Sequence, residues 1–272
     1  MAAFNKNLFS REFARIALSL LLWTLVITLL ISATMAVYPT FIKNQSKVLG
    51  MMSIIPKEML QFKGISNVED MLSPFGFYSI NNVIYMMVLG SIFAIVISAN
   101  MLLKEEYGKT AEYLLTRPVS RTGIFVSKLT VGFIAIVSLN IITAVAGYIS
   151  MLAVDKGAVP LKPFLILSAY TFLLNFLFGA IGLFMSVLIK RARPVTTFSI
   201  GLVLVFYFIY TISKITESVS YLGYISPFKY VNVNAMDPTY RMEPWHLLYF
   251  LGISLVLTVT SYRLYMRKDI YL

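Results

Sequence analysis

Six long apolar blocks leave this chain few ways to fold. They run Ile16–Val37, about Val83–Leu103, about Leu129–Val154, Phe164–Ile189, Val195–Ile212 and Leu247 to about Tyr265. None contains Asp, Glu, Lys or His, and Arg263 sits close enough to a block end for its head to reach the interface. Each block is near the roughly 20 residues that cross a hydrocarbon core about 30 Å thick. A helix is the form that satisfies its own backbone polar groups there. The chain is 58% hydrophobic and 13% charged, against about 25% charged in soluble proteins. The expectation is an all-α polytopic membrane protein, with residues 1–272 forming a single transmembrane domain. No repeat, flexible linker or soluble domain is visible. The first block follows Lys6, Arg11 and Arg15, but its 22 residues exceed the usual signal-peptide core and no small-x-small cleavage site follows. It reads as an anchor.

Charge sorts the loops. With the N-terminus inside, the inner segments hold Lys6, Arg11, Arg15, Lys104, Lys109, Arg117, Arg121, Lys128, Lys190, Arg191, Arg193, Arg263, Arg267 and Lys268, fourteen of the 23 basic residues. These lie on short segments near span ends, so both termini are expected in the cytoplasm. The two long loops, about Tyr38–Asn82 and Ser213–His246, are then outside. In the first, Met51, Met52, Ile55, Met59 and Phe62 repeat at helical spacing, fitting a surface helix or an adaptable methionine-rich lid.

The chain has no cysteine and one histidine, His246. Thiolate chemistry is excluded, and no metal site or histidine relay is expected. A charge at mid-membrane is costly and marks ion paths or proton relays. The uncharged blocks argue against an ion-coupled carrier and an intramembrane enzyme, so a conduit here needs energy from elsewhere. Asn140 and Asn175 fall near the middle of the third and fourth blocks. They can join helices by a hydrogen bond or form a polar spot on a substrate path; both readings stay open. Gly179 and Gly182 allow close helix approach.

The most charged stretch is LLKEEYGKTAEYLLTRPVSRTG, Leu102–Gly123. Gly108-Lys109-Thr110 ends like a phosphate-binding loop, but that motif needs a glycine where Leu103 stands, and a strand where a span stands. The match is fortuitous and no nucleotide-binding motif remains. Tyr107, Ala111, Leu114 and Leu115 make one apolar helical face. Glu105 and Lys109 form an i,i+4 pair in the favourable order. Pro118 biases Arg117 away from helix, and Ser120 or Thr122 can cap the third span. The segment predicts a short amphipathic helix, a turn and a new span. Such a helix can lie in headgroups or dock into a groove on a partner.

The run Lys109-Thr110-x-Glu112-x-Leu114-Leu115-x-x-Pro118-Val119-Ser120-Arg121-x-x-Ile124-x-x-x-Lys128 resembles the cytoplasmic loop of type-two ATP-binding-cassette (ABC) permeases. Ser226-Pro227-Phe228-Lys229-Tyr230 before the last span and Arg267-Lys268-Asp269-Ile270 near the end are weaker echoes. The layout resembles the family over the whole chain, the letters over about thirty residues. Many relatives have Gly directly before Thr, whereas Lys109 intervenes here. The resemblance implies that this loop is the coupling helix, seated in a separate cytoplasmic ABC-type ATPase that holds ATP and Mg. Glu105, Lys109, Thr110, Glu112, Leu114, Leu115, Pro118, Ser120 and Arg121 would form that interface. Phe4–Arg15 would be an amphipathic interfacial helix against the same subunit. The segment from about Thr216 to Met242 would form short extracytoplasmic helices dipping into the outer leaflet. A second permease copy, more readily identical than different, would complete the path.

With that resemblance, the expectation is a non-enzymatic permease subunit of an ATP-driven exporter in a bacterial cytoplasmic membrane. Its partners are the ATPase, the second copy and membrane lipids, with no nucleic acid. The apolar path leans towards an amphipathic peptide or lipid-like cargo. The alternatives are export of a polysaccharide, drug or other small molecule, or a membrane sensor or binding protein that transports nothing.

Overall fold

The computed structural model describes residues 6–52, 54–55, 68–107, 120–154, 159–189, 192–215 and 217–267. Regular structure in them is helical throughout: α1 (Lys6–Lys43), α2 (Gln45–Met52), α3 (Pro74–Tyr107), α4 (Arg121–Val154), α5 (Leu161–Leu188), α6 (Ala192–Ser213) and α7 (Pro244–Arg267), with 3₁₀ turns at Val68–Leu72, Glu217–Ile225 and Pro227–Tyr230. Six of these helices are long and apolar enough to cross a membrane.

Helices α3 and α4 start ahead of their apolar blocks because caps, rather than hydropathy, decide where they begin. Helix α3 begins nine residues before Val83 because Ser73 Oγ accepts the Gly76 N–H at 3.0 Å and Pro74 takes the first helical position, where its missing N–H costs nothing. Phe75, Phe77 and Tyr78 then bury against the core. Ser120 caps α4, its Oγ accepting the Gly123 N–H at 3.1 Å, which is one of the two capping options the sequence offers. Much of the expected loop from Tyr38 to Asn82 is therefore helix. Met51 and Met52 close α2, while Met59 and Phe62 lie outside the described residues.

The N-terminal stretch differs from expectation. Residues from Lys6 onward are not a separate interfacial helix but the first turns of α1. No Gly or Pro interrupts the chain between them and the apolar block, so the helix has no reason to break. At 1.5 Å per residue its 38 residues reach roughly 57 Å, well past a hydrocarbon core.

Helices α3 and α5 form the centre: 78% and 72% of their apolar windows are buried, against 22% in α1 and α6 and 17% in α7. The two central helices touch closely at Gly182, where a Cβ would stand 2.4 Å from the Ile95 carbonyl oxygen. Around them, α1 packs on α4 and α3, α6 packs on α3, and α7 packs on α5. The up-and-down order brings six helix ends together at each end of the bundle. One end carries Lys6, Arg11, Arg15, Lys128, Arg263 and Arg267 and is the basic end. The other carries α2 and the 3₁₀ turns and is the far end.

Between α6 and α7 the chain folds back into the bundle. Ser226 Oγ donates to the Phe206 carbonyl at 2.7 Å, and its side chain caps the Pro227–Tyr230 turn. The fully buried Phe228 ring lies 5.4 Å from Phe178 and 5.5 Å from Tyr207, centroid to centroid. Phe178 is ten residues from the end of α5, about 15 Å from the basic end by helical rise. The segment thus reaches the middle of the bundle.

Candidate functional site

The charged stretch of the sequence joins α3 to α4 at the basic end, and the described residues on either side of it build the junction. Glu105 lies in the last turn of α3. Lys109, Thr110, Glu112, Leu114, Leu115 and Pro118, and the expected amphipathic helix with them, lie outside the described residues. Ser120 and Arg121 are described: one caps α4 and the other opens it. Arg121 Nη1 donates to the Met266 carbonyl of α7 at 3.4 Å.

Three helices converge on the first two turns of α4. Lys128, only 1% exposed, donates through Nζ to the Met101 carbonyl of α3 at 2.6 Å and to Glu12 Oε2 of α1 at 3.4 Å. Glu12 in turn accepts from Arg15 at 2.9 Å, with Arg11 at 3.8 Å. Leu8 and Ile124 bury against each other beside this pair. On the other flank, Phe125 stacks edge-on against Tyr262 at 5.3 Å and lies 5.7 Å from Tyr265, both on α7. Thr122 shares a 3.3 Å hydroxyl contact with Tyr262. A buried ammonium is tolerated because a carboxylate and a carbonyl surround it. A cavity of about 120 Å³ beside it, lined in part by Glu12, Asn100 and Lys128, is roomy enough for water.

The α4 start is thus tied to α1 through the ion pair, to α3 through the Met101 carbonyl and to α7 through Arg121 and Phe125. Sequence reasoning did not find the Glu12–Lys128 pair. One signal was present: Glu12 is the only acidic residue before Glu58, set among Arg11, Arg15 and apolar side chains. Its partner, 116 positions away, could not be read from spacing.

The two mid-span asparagines meet. Asn175 Nδ2 donates to Asn140 Oδ1 at 3.1 Å, and Ser91 Oγ donates to Asn175 Oδ1 at 3.2 Å. Asn140 Nδ2 donates to its own helix at Ile136. Asn175 is fully buried, and Gly90 makes room for it: a Cβ there would stand 2.5 Å from Asn175 Nδ2. The geometry is that of an interhelical clasp joining α3, α4 and α5. The Asn140 side also faces a narrow cleft lined by Tyr78, Thr143, Ser168 and Thr171.

Among the described residues no cluster of His, Cys, Asp or Glu could hold a metal. The charged side chains described on the six helices lie within about ten residues of a helix end.

Residues 6–270 match the family described as ABC-2 family transporter protein. No curated protein sequence matches the chain. Six membrane-crossing helices in this order, with a basic junction tied to four of them and a family match over nearly the full length, lead to one conclusion: the chain belongs to the ABC-2 transporter family, whose members are the membrane-spanning rather than the ATP-hydrolysing component of ABC exporters and work with a cytoplasmic ATPase subunit.

Proposed function

We propose that this chain is the driven half of an exporter that moves an amphipathic peptide or lipid-like molecule out of the cytoplasm or inner leaflet. ATP and Mg are held by a separate ATPase, and two copies of the chain line the path. The observation that carries this reading is the tie of the α4 start to α1, α3 and α7 through Lys128, Arg121 and Phe125. A push on residues 108–119 then moves a frame rather than one helix. Closure of the ATPase pair draws the two loops together, and the frame converts that movement into a change of the side to which the path opens. The basic end faces the cytoplasm in this scheme, as its charge excess favours. Glu105, Lys109, Thr110, Glu112, Leu114, Leu115, Pro118, Ser120 and Arg121 form the docking surface and its root. On this reading the path passes beside the Asn140–Asn175 clasp of the central helices.

The amphiphilic cargo class is supported by the apolar helix interiors, where the described charges stay near the helix ends. The exposed apolar faces of α1, α6 and α7 suit lipid and a second copy. Glu112→Arg in the assembled complex tests the reading. The expected result is loss of ATPase co-purification and of ATP-dependent movement of a labelled amphiphile across vesicles. Unchanged co-purification and transport would overturn the docking assignment.

A further inference from the structure

At the far end, the turn before α3 and its start, the end of α6, the folded-back segment and the start of α7 line an open cavity of about 510 Å³. This is within the size range of small-ligand sites. Its wall carries charges of both signs that do not neutralise one another. Lys214 comes from just beyond α6 and Lys229 from the Pro227–Tyr230 turn. Gly223 lets this wall close up, since a Cβ there would stand 2.6 Å from Ser213 Oγ and 3.0 Å from Lys229 Cδ. Among the described residues neither lysine pairs with a carboxylate. Their ammonium groups lie over the rings of Tyr210 at 4.5 Å and Tyr224 at 3.1 Å, and Lys229 reaches the Ser220 carbonyl only at 3.4 Å. Asp70, from the turn before α3, likewise has no side-chain hydrogen bond or ion pair among the described residues. Glu243 approaches His246 at 3.6 Å. Two cations on one wall and two carboxylates from other elements match a ligand that carries both charges.

The rim indicates where that ligand lives. Ile212, Ile215, Tyr221, Tyr224 and Ile225 are exposed beside the lysines. The apolar stripe continues along α6 through Phe208 and Val205, which with Ile212 recur at helical spacing. Tyrosines at such a rim suit the headgroup level of a bilayer. A soluble ligand needs no such stripe, whereas an acyl chain does.

We infer that this cavity binds the headgroup of a zwitterionic aminophospholipid, with the phosphodiester on Lys214 and Lys229, the ammonium towards Asp70 and Glu243, and an acyl chain along α6. The inference stands apart from the export reading and needs no ATPase.

The test uses the purified full chain in detergent and acyl-labelled phosphatidylethanolamine and phosphatidylglycerol. The expected result is at least tenfold tighter binding of phosphatidylethanolamine. The double variant Lys214→Gln/Lys229→Gln weakens it at least tenfold, and Lys214→Arg/Lys229→Arg retains it. Asp70→Asn with Glu243→Gln erases the preference between the two lipids while phosphatidylglycerol still binds. If the glutamine variant does not fold, this carboxylate pair decides alone. Equal affinity for both lipids in the unmodified chain, or a preference that survives loss of both carboxylates, would overturn the inference. So would competition by glycerophosphoethanolamine as strong as by the lipid, which would assign the site to a soluble phosphodiester.

Discussion

Removing Glu12 should harm the protein more than removing the lysine it holds. Glu12→Ala takes the Glu12 carboxylate from the buried Lys128, which keeps the Met101 carbonyl among its partners. Breaking a buried pair in this way costs about 3–5 kcal/mol. The adjoining cavity of about 120 Å³ admits water and softens the loss, to about 2–3 kcal/mol. Lys128→Met removes the buried charge itself and fills most of its volume. Glu12 then keeps Arg15 at 2.9 Å, a half-exposed partner, so the loss is about 1 kcal/mol. The double variant should cost less than the sum, with a coupling of about 1–2 kcal/mol. Denaturant unfolding of the purified chain in mixed micelles, read on all four proteins of the cycle, gives these terms. If Glu12→Ala were no worse than Lys128→Met, or if the two effects simply added, the ion pair would not be what joins α1 to α4. The transmission scheme would then lose one of its three arms.

Two further substitutions probe the frame away from the basic end. Gly182→Ala places a methyl 2.4 Å from the Ile95 carbonyl oxygen, and backbone cannot rotate aside. It should destabilise by about 1–3 kcal/mol, measurable in the same unfolding assay, and an unchanged midpoint would mean that α3 and α5 do not touch there. Phe228→Ala empties a fully buried aromatic site between α5 and α6. It should cost about 3–5 kcal/mol and expose the Ser226–Tyr230 turn to proteolysis; a surface-like loss below about 0.5 kcal/mol would place that turn outside the bundle.

The helices themselves were legible because each is an apolar block too long and too uncharged for another fate, and the described spans cover those blocks to within a residue. Their true starts were written in smaller signs. Ser73-Pro74 and Ser120 are cap chemistry, and the first of these was hidden inside a stretch that hydropathy reads as loop. The continuity of α1 was legible in principle, as nothing between Lys6 and Ile16 breaks a helix. It was obscured by the amphipathic pattern, which looks the same in an interfacial helix and in the protruding end of a span. Asn140 and Asn175 were recognisable as polar groups needing partners, but only the fold could say that the partner of each is the other. The Glu12–Lys128 pair and the far-end cavity join residues more than a hundred positions apart, and no periodicity encodes such meetings. The depth reached by Phe228 was likewise unreadable, since an aromatic near an interface and an aromatic at mid-bundle share the same letters.

The central claim is that residues 108–119 are gripped by an ATPase on the cytoplasmic side. The chain has no cysteine, so Glu112→Cys supplies a single reactive thiol without further engineering. In the complex within sealed inside-out vesicles, an impermeant maleimide should label this thiol, a bound ATPase should protect it, and a short bifunctional reagent should link it to that subunit. Labelling from the opposite face in intact cells, or a thiol equally reactive with and without the ATPase, would contradict the account.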